Sequence, residues 1–186
     1  EGFLAWRLSQ GLPACSTDNS AYGKARGRLS EVLLQTLTRV TGQTLAEEAL
    51  PDWLWQGRHV KLFDGSTVSM PDTEANQKAY PQSASQQPGV GFPIARIGVL
   101  FSLSVGSVLD FGICKWKGKF QSELGLLRAM FDAFSPGDIL LTDRYLCSYM
   151  EMAVLKSRGV DVVARMHAHR DFDFRRGRKL GLEDHI

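Results

Sequence analysis

The chain has 186 residues, 44% of them hydrophobic, with 22 basic and 20 acidic residues and a net charge of +2. That length and composition fit one domain, or one domain with an appendage, built on a real core. They do not by themselves announce nucleic acid. Three cysteines, Cys15, Cys114 and Cys147, are far apart, and no CxxC pair exists, which argues against a zinc knuckle and fits a reducing, intracellular compartment. No signal peptide or membrane-length apolar run is visible. The chain starts on Glu1 and stops at Ile186 without a terminating feature, so both ends read as cut from a longer polypeptide.

Phe3, Leu4, Trp6 and Leu8 can close a short helix that Gly11-Leu12-Pro13 breaks. Lys24, Arg26 and Arg28 place three cations within five residues, in a solvated turn or against DNA phosphates. Ser30 can cap a helix through Arg39, with Leu33, Leu34, Leu37 and Val40 on one face. Thr44 and Glu47 suggest a capping box for a second short helix ended by Pro51. Trp53 and Trp55 are expected to pack this helical region, residues 1–57, against the next domain. From Arg58 the period changes to that of strands. Val60 to Phe63 leads to Asp64, and a Pro/Gln/Ser-rich stretch from Pro71 to Pro93 reads as a loop or hairpin arm. Ile94 to Val105 and Val108 to Cys114 read as strands joined at Gly106-Ser107. A helix is expected over Gln121 to Phe134, a buried strand over Ile139 to Thr142, a helix over Leu146 to Arg158 and a strand over Val160 to Ala164. The fold class is therefore α/β (α+β): an antiparallel three-strand meander and then βαβαβ, merged into one mixed sheet over residues 58–170, with 171–186 as the start of an insertion or linker.

Two short apolar runs each deliver an aspartate, Asp64 and Asp143. Brought side by side by the sheet, two carboxylates can hold hard divalent cations, and a metal pair can activate an attacking oxygen on a phosphodiester and stabilise the leaving one. Each has a plainer reading. Asp64-Gly65 after an apolar run is a hairpin-turn signal, and Asp143 stands where a helix N-cap belongs. Six basic residues between Arg165 and Lys179, among them Arg175 and Arg176, face Asp171 and Asp173, as a solvated loop or a DNA-holding segment. His167 and His169 lack an obvious third ligand. No serine is paired with a histidine at a telling spacing, and no P-loop or dinucleotide fingerprint occurs.

Asp64-Gly65-Ser66-Thr67, Pro71 to Asn76 and Tyr80-Pro81 resemble the first catalytic block of bacterial DDE transposases of the insertion sequence 4 family. Ser122-Glu123-Leu124, Pro136 to Tyr145 and Arg158 to Asp161 resemble the second, and Ala21 to Leu29 resembles the segment before the catalytic domain. The resemblance covers roughly residues 15–170. It implies an RNase H-like fold and cleavage and strand transfer of double-stranded DNA at transposon ends. It also implies two Mg²⁺ ions (Mn²⁺ substituting), a homodimeric synaptic complex and a place in the bacterial cytoplasm, on the nucleoid when bound to DNA. Asp64 and Asp143 match the first and second acidic residues of that family, and Lys24, Arg26, Arg28, Arg144, Arg175 and Arg176 are the expected DNA contacts. Its third acid, a glutamate within Tyr-x2-Arg-x3-Glu-x6-Lys, has no match. The chain therefore reads as a front part of such an enzyme, inactive alone in strand transfer, with part of its sheet uncovered. The rival readings are a non-transposing nuclease with Glu123 or Asp138 as third acid, and a non-catalytic DNA-binding remnant.

Overall fold

A computed structural model describes residues 2–16, 20–87, 89–146, 148–165 and 177–181. Among them are six α-helices and five strands. The chain divides into two compact units, Glu1–Leu37 and Thr38–Ile186.

The first unit holds α1 (Gly2–Ser9), α2 (Ser20–Arg26) and the beginning of α3 (Glu31–Glu47). Lys24 and Arg26, expected in a turn, lie in α2, and Arg28 comes just after it; all three are exposed. The Ser30 hydroxyl accepts from Leu33 N at 3.2 Å, as an N-cap should. The helix it starts does not stop at Arg39. Thr44, expected to cap a second helix, sits inside α3 and donates its hydroxyl to Val40 O at 2.9 Å, so the two expected helices are one. The stripe Leu33, Leu37 and Val40 is more than half exposed, whereas Gly42 and Ala46 on the opposite side are buried. Gly42 lies so close to the carbonyl of Val108 that a Cβ there has no room. Trp53 and Trp55, expected to pack this region against the next domain, are more than half exposed, and Trp53 lines a hollow with Leu103 and Val105.

The second unit is built on one five-stranded mixed sheet in the order β3-β2-β1-β4-β5. The strands are β1 (Val60–Ser69), β2 (Ile94–Ser102), β3 (Ser107–Lys115), β4 (Ile139–Thr142) and β5 (Asp161–Ala164). β1, β2 and β3 pair antiparallel, and β4 joins β1 and β5 in parallel. This is the expected meander, then βαβαβ. α4 (Glu74–Ala79) interrupts the stretch read as loop, capped by the Thr73 hydroxyl on Asn76 N. α5 (Glu123–Ala129) links β3 to β4 and gives way to a 3-10 turn at Phe131–Ala133. α6 (Tyr149–Ser157) links β4 to β5, and Gly159 takes φ +77° just past its end.

Both crossovers run the same way along the sheet. Right-handed connections that advance in one direction put their helices on one face. Accordingly Phe63, Leu100 and Leu140 from the strands share a buried cluster with Leu126, Leu127 and Met130 around α5 and with Leu155 of α6. α5 comes unusually close. Gly65, Gly98 and Gly112 pair with one another across β1, β2 and β3, and a Cβ on Gly98 would stand 2.8 Å from Phe63 Cζ and 3.1 Å from Leu126. The other face carries Leu62, Val99, Phe101, Phe111 and Leu141, only half-buried, and Val163, 53% exposed. No described helix is long and apolar enough to cross a membrane.

Candidate functional site

β1 does not turn at Asp64-Gly65. It continues to Ser69 with unbroken pairing to β2, so Asp64 is an exposed mid-strand residue and the hairpin alternative falls away. Its neighbour β4 pairs Val60 with Ile139, Lys61 with Leu140 and Leu62 with Leu141. That offset, 79 positions, is also the separation of Asp64 and Asp143 (143 − 64). The Thr142 hydroxyl reaches Phe63 O at 3.3 Å, which carries the same register one residue further. Adjacent strands lie about 4.8 Å apart, so Asp64 and Asp143 end up abreast. Alternation puts Asp64 on the open face, away from α5. Continued one residue past β4, it puts Asp143 on the same face.

Each carboxylate has one oxygen engaged by backbone. Asp64 Oδ1 accepts from Gly65 N at 2.8 Å. Asp143 Oδ1 accepts from Tyr145 N at 2.9 Å and Leu146 N at 3.1 Å, closing a turn. It therefore does the local work of a cap, although the residue that precedes α6 is Ser148. These bonds hold both carboxyl groups in place and would leave Oδ2 of each to face a cation. Two aspartates with hard oxygens and room for water suit Mg²⁺ or Mn²⁺ better than a soft metal. Among the described residues no group of three or more acidic, histidine or cysteine side chains converges on one point.

The acids named as third ligands for a nuclease are turned elsewhere. Glu123 lies across Gly65, where a Cβ on that glycine would collide with its side chain, so it is on the α5 face, opposite Asp64. Its carboxylate stands 3.7 Å from Arg96, whose guanidinium stacks 4.7 Å over Trp116. Asp138 is 6% exposed and ion-paired to Lys61 Nζ at 2.6 Å; its carboxylate also accepts from Ser135 N at 2.7 Å. Lys61, itself 8% exposed, further donates to Ala133 O at 2.7 Å. This buried pair lies three residues before Asp64 and five before Asp143, and ties β1 to the segment leading into β4. Arg58 ties the same edge, donating to Gly137 O at 2.6 Å and pairing with Asp161 at 2.8 Å. Lys156 and Arg58 together hold the Asp161 carboxyl below the usual aspartate range. Lys61, Arg58 and Asp138 were legible as charges beside an apolar run, but their joint role depends on which strands are neighbours.

Of the expected DNA contacts, Arg144 comes directly after Asp143, with its guanidinium 5.1 Å from the Tyr145 ring. Lys24, Arg26 and Arg28 belong to the first unit, where Arg26 stacks 5.9 Å over Tyr22. Arg175 and Arg176, with His167, His169 and Cys147, lie outside the described residues. Arg128 bonds the buried Glu151 of α6, which also receives the Ser148 hydroxyl, so this acid is spent on packing α6. Burial pushes the Cys114 thiol up, against the opposing pull of Arg96. No protein-family model matches the chain, and neither a curated protein nor a solved structure matches it.

Proposed function

We propose that the chain carries two of the three carboxylates of a Mg²⁺-dependent DNA strand-cleaving and strand-transfer site of the DDE transposase kind, on a sheet of RNase H-like topology. The observation that carries this reading is the register. The β1–β4 offset equals the separation of Asp64 and Asp143, so that register, continued past β4, sets two acids far apart in sequence abreast. Carboxyl ends of strands in open α/β sheets are where ligands gather, because loops there are free to vary. Asp64, inside β1, and Asp143, just past β4, would be the residues that hold the metal. A bound Mg²⁺ pair would supply Lewis-acid activation of the attacking oxygen and stabilise the leaving one. The chain's own residues orient the two carboxylates, and Arg144 adds charge for the scissile phosphate's surroundings.

Glu123 pairs with Arg96 and Asp138 with Lys61, and among the described residues no group of three possible metal ligands forms. The chain by itself is therefore expected to bind Mn²⁺ weakly and to transfer no strands. Calorimetric titration with Mn²⁺ tests this: wild type should bind, and Asp64→Asn and Asp143→Asn should each abolish binding. Equal Mn²⁺ binding by both variants would overturn the site. Efficient strand transfer by the 186-residue chain would overturn the missing-ligand part alone.

A further inference from the structure

β3 ends on Lys115, and the sequence then runs Lys115-Trp116-Lys117-Gly118-Lys119-Phe120 into the Ser122 cap of α5. No acidic residue occurs between Asp110 and Glu123. Lys115, Lys117 and Lys119 are exposed, and none is in an ion pair among the described residues. The segment is anchored at both ends. Lys115 N donates to Gln121 Oε1 at 2.9 Å, Gln121 N donates to Gly118 O at 3.1 Å, and Trp116 is held under Arg96. Phe120 has φ +63° and is 71% exposed, with Lys119 Nζ 5.3 Å above its ring. A left-handed backbone is costly for an aromatic residue. The backbone here packs its carbonyl against Gly125 at the start of α5, while the side chain stays in solvent.

The loop's place is set by the strand pairing. Asp64 is opposite Val99, and Val99 opposite Phe111. Lys115 is four residues further along β3, which runs parallel to β1, and so lies on the same face as Asp64. The step is about 13 Å along the strand and about 10 Å across two strands. The loop then returns to Glu123, over Gly65. It thus borders the end of the sheet that presents Asp64.

We propose that Lys115, Lys117, Lys119 and Phe120 form a docking loop for the sugar-phosphate backbone of duplex DNA, an inference that takes the nature of the polyanion from the reading of the Asp64–Asp143 site. Three lysines on a fixed loop match phosphates as point charges and read no sequence. Phe120 is an apolar tip that can press against the groove edge. Single-strand binders line up several stacking rings; here Trp116 is occupied by Arg96, leaving one, which favours a duplex.

Fluorescence anisotropy of a labelled random-sequence duplex against the full chain, over a salt series, tests the loop. Each phosphate contact contributes roughly 0.9 to the slope of log K against log salt. Lys115→Gln/Lys117→Gln/Lys119→Gln should flatten that slope by about 2.7, and Lys117→Gln alone by about 0.9. Phe120→Ala should weaken binding several-fold and leave the slope unchanged. All four residues are exposed, and an unaltered thermal melt checks the fold of each variant. Wild-type slopes in the lysine variants, no duplex binding by wild type at low salt, or tighter binding of single strands would each overturn the proposal. The Mn²⁺ titration separates the two readings. A flattened slope with no Mn²⁺ binding leaves the loop standing and removes the metal site, and the reverse result removes the loop alone.

Discussion

We predict that the buried Lys61–Asp138 pair sets the β1–β4 register, a role that can be tested apart from catalysis. β4 is Ile139-Leu140-Leu141-Thr142, so its apolar pattern would tolerate a two-residue slip against β1. Such a slip moves Lys61 by about 6.6 Å, well beyond the 2.6 Å that joins it to Asp138. Both side chains are under a tenth exposed, so solvent does little to screen the pair. Removing one partner leaves a buried charge, at a cost of roughly 3–5 kcal/mol. For a chain of this length that lowers Tm by roughly 6–20 °C. Asp138→Asn and Lys61→Met should both show this in thermal and guanidinium melts. Replacing both, as in Lys61→Met/Asp138→Leu, should restore most of the lost stability, because apolar side chains can fill such a site as well as an ion pair does. What the double variant should lose is registration: Mn²⁺ affinity should fall at least about tenfold, equivalent to about 1.4 kcal/mol. A double variant with wild-type stability and wild-type Mn²⁺ affinity would refute the register role.

Gly98→Ala should destabilise by roughly 1–3 kcal/mol, because the new methyl meets Phe63 and Leu126 beneath α5; a guanidinium melt equal to wild type would show that α5 can shift without cost. Glu151→Gln should lower Tm, since it breaks the charge pair with Arg128 at a carboxylate that is 2% exposed. Asp161 has a lowered pKa, so its bonds to Lys156 and Arg58 stabilise the fold above the usual aspartate value near 3.8 and lose that effect as the pH falls through the lowered one. Asp161→Asn should therefore reduce stability at neutral pH and flatten its fall below about pH 4, as read from melts taken across an acid series.

Much of the fold was legible because periodicity changes sharply at Arg58 and because strand and helix lengths constrain the crossovers. Asp64 and Asp143 stand out in the sequence as acids after apolar runs, and setting them abreast takes both the strand order and the β1–β4 register. What could not be read locally depends on tertiary partners. Thr44 and Glu47 look like a helix start, but Gly42 and Ala46 pack against the sheet and draw one helix through them. Asp64-Gly65 looks like a turn, but β2 pairs continuously along it and the glycine is needed where Glu123 crosses. Lys115, Lys117 and Lys119 carry no motif in the sequence; the strand pairing puts Lys115 on the face of Asp64.

Under the proposed reading, the half-buried face that carries Asp64 and the lack of a third carboxylate beside it among the described residues share one origin. β3 to β4 and β4 to β5 advance in the same direction, so both helices fall on the Phe63 side and neither reaches Asp64. Under the proposed two-metal reading, a third carboxylate would come from an element that packs on Leu62, Val99, Phe101, Leu141 and Val163. Such an element would bury those apolar groups in the same step that completes the site, so metal affinity and apolar burial are coupled. Val163→Thr should lower the binding of a hydrophobic dye to the chain without changing its Mn²⁺ affinity, because Val163 borders the face and touches neither aspartate. Dye binding unchanged in Val163→Thr would mean that this face is not the exposed apolar surface, and the coupling would have to be abandoned.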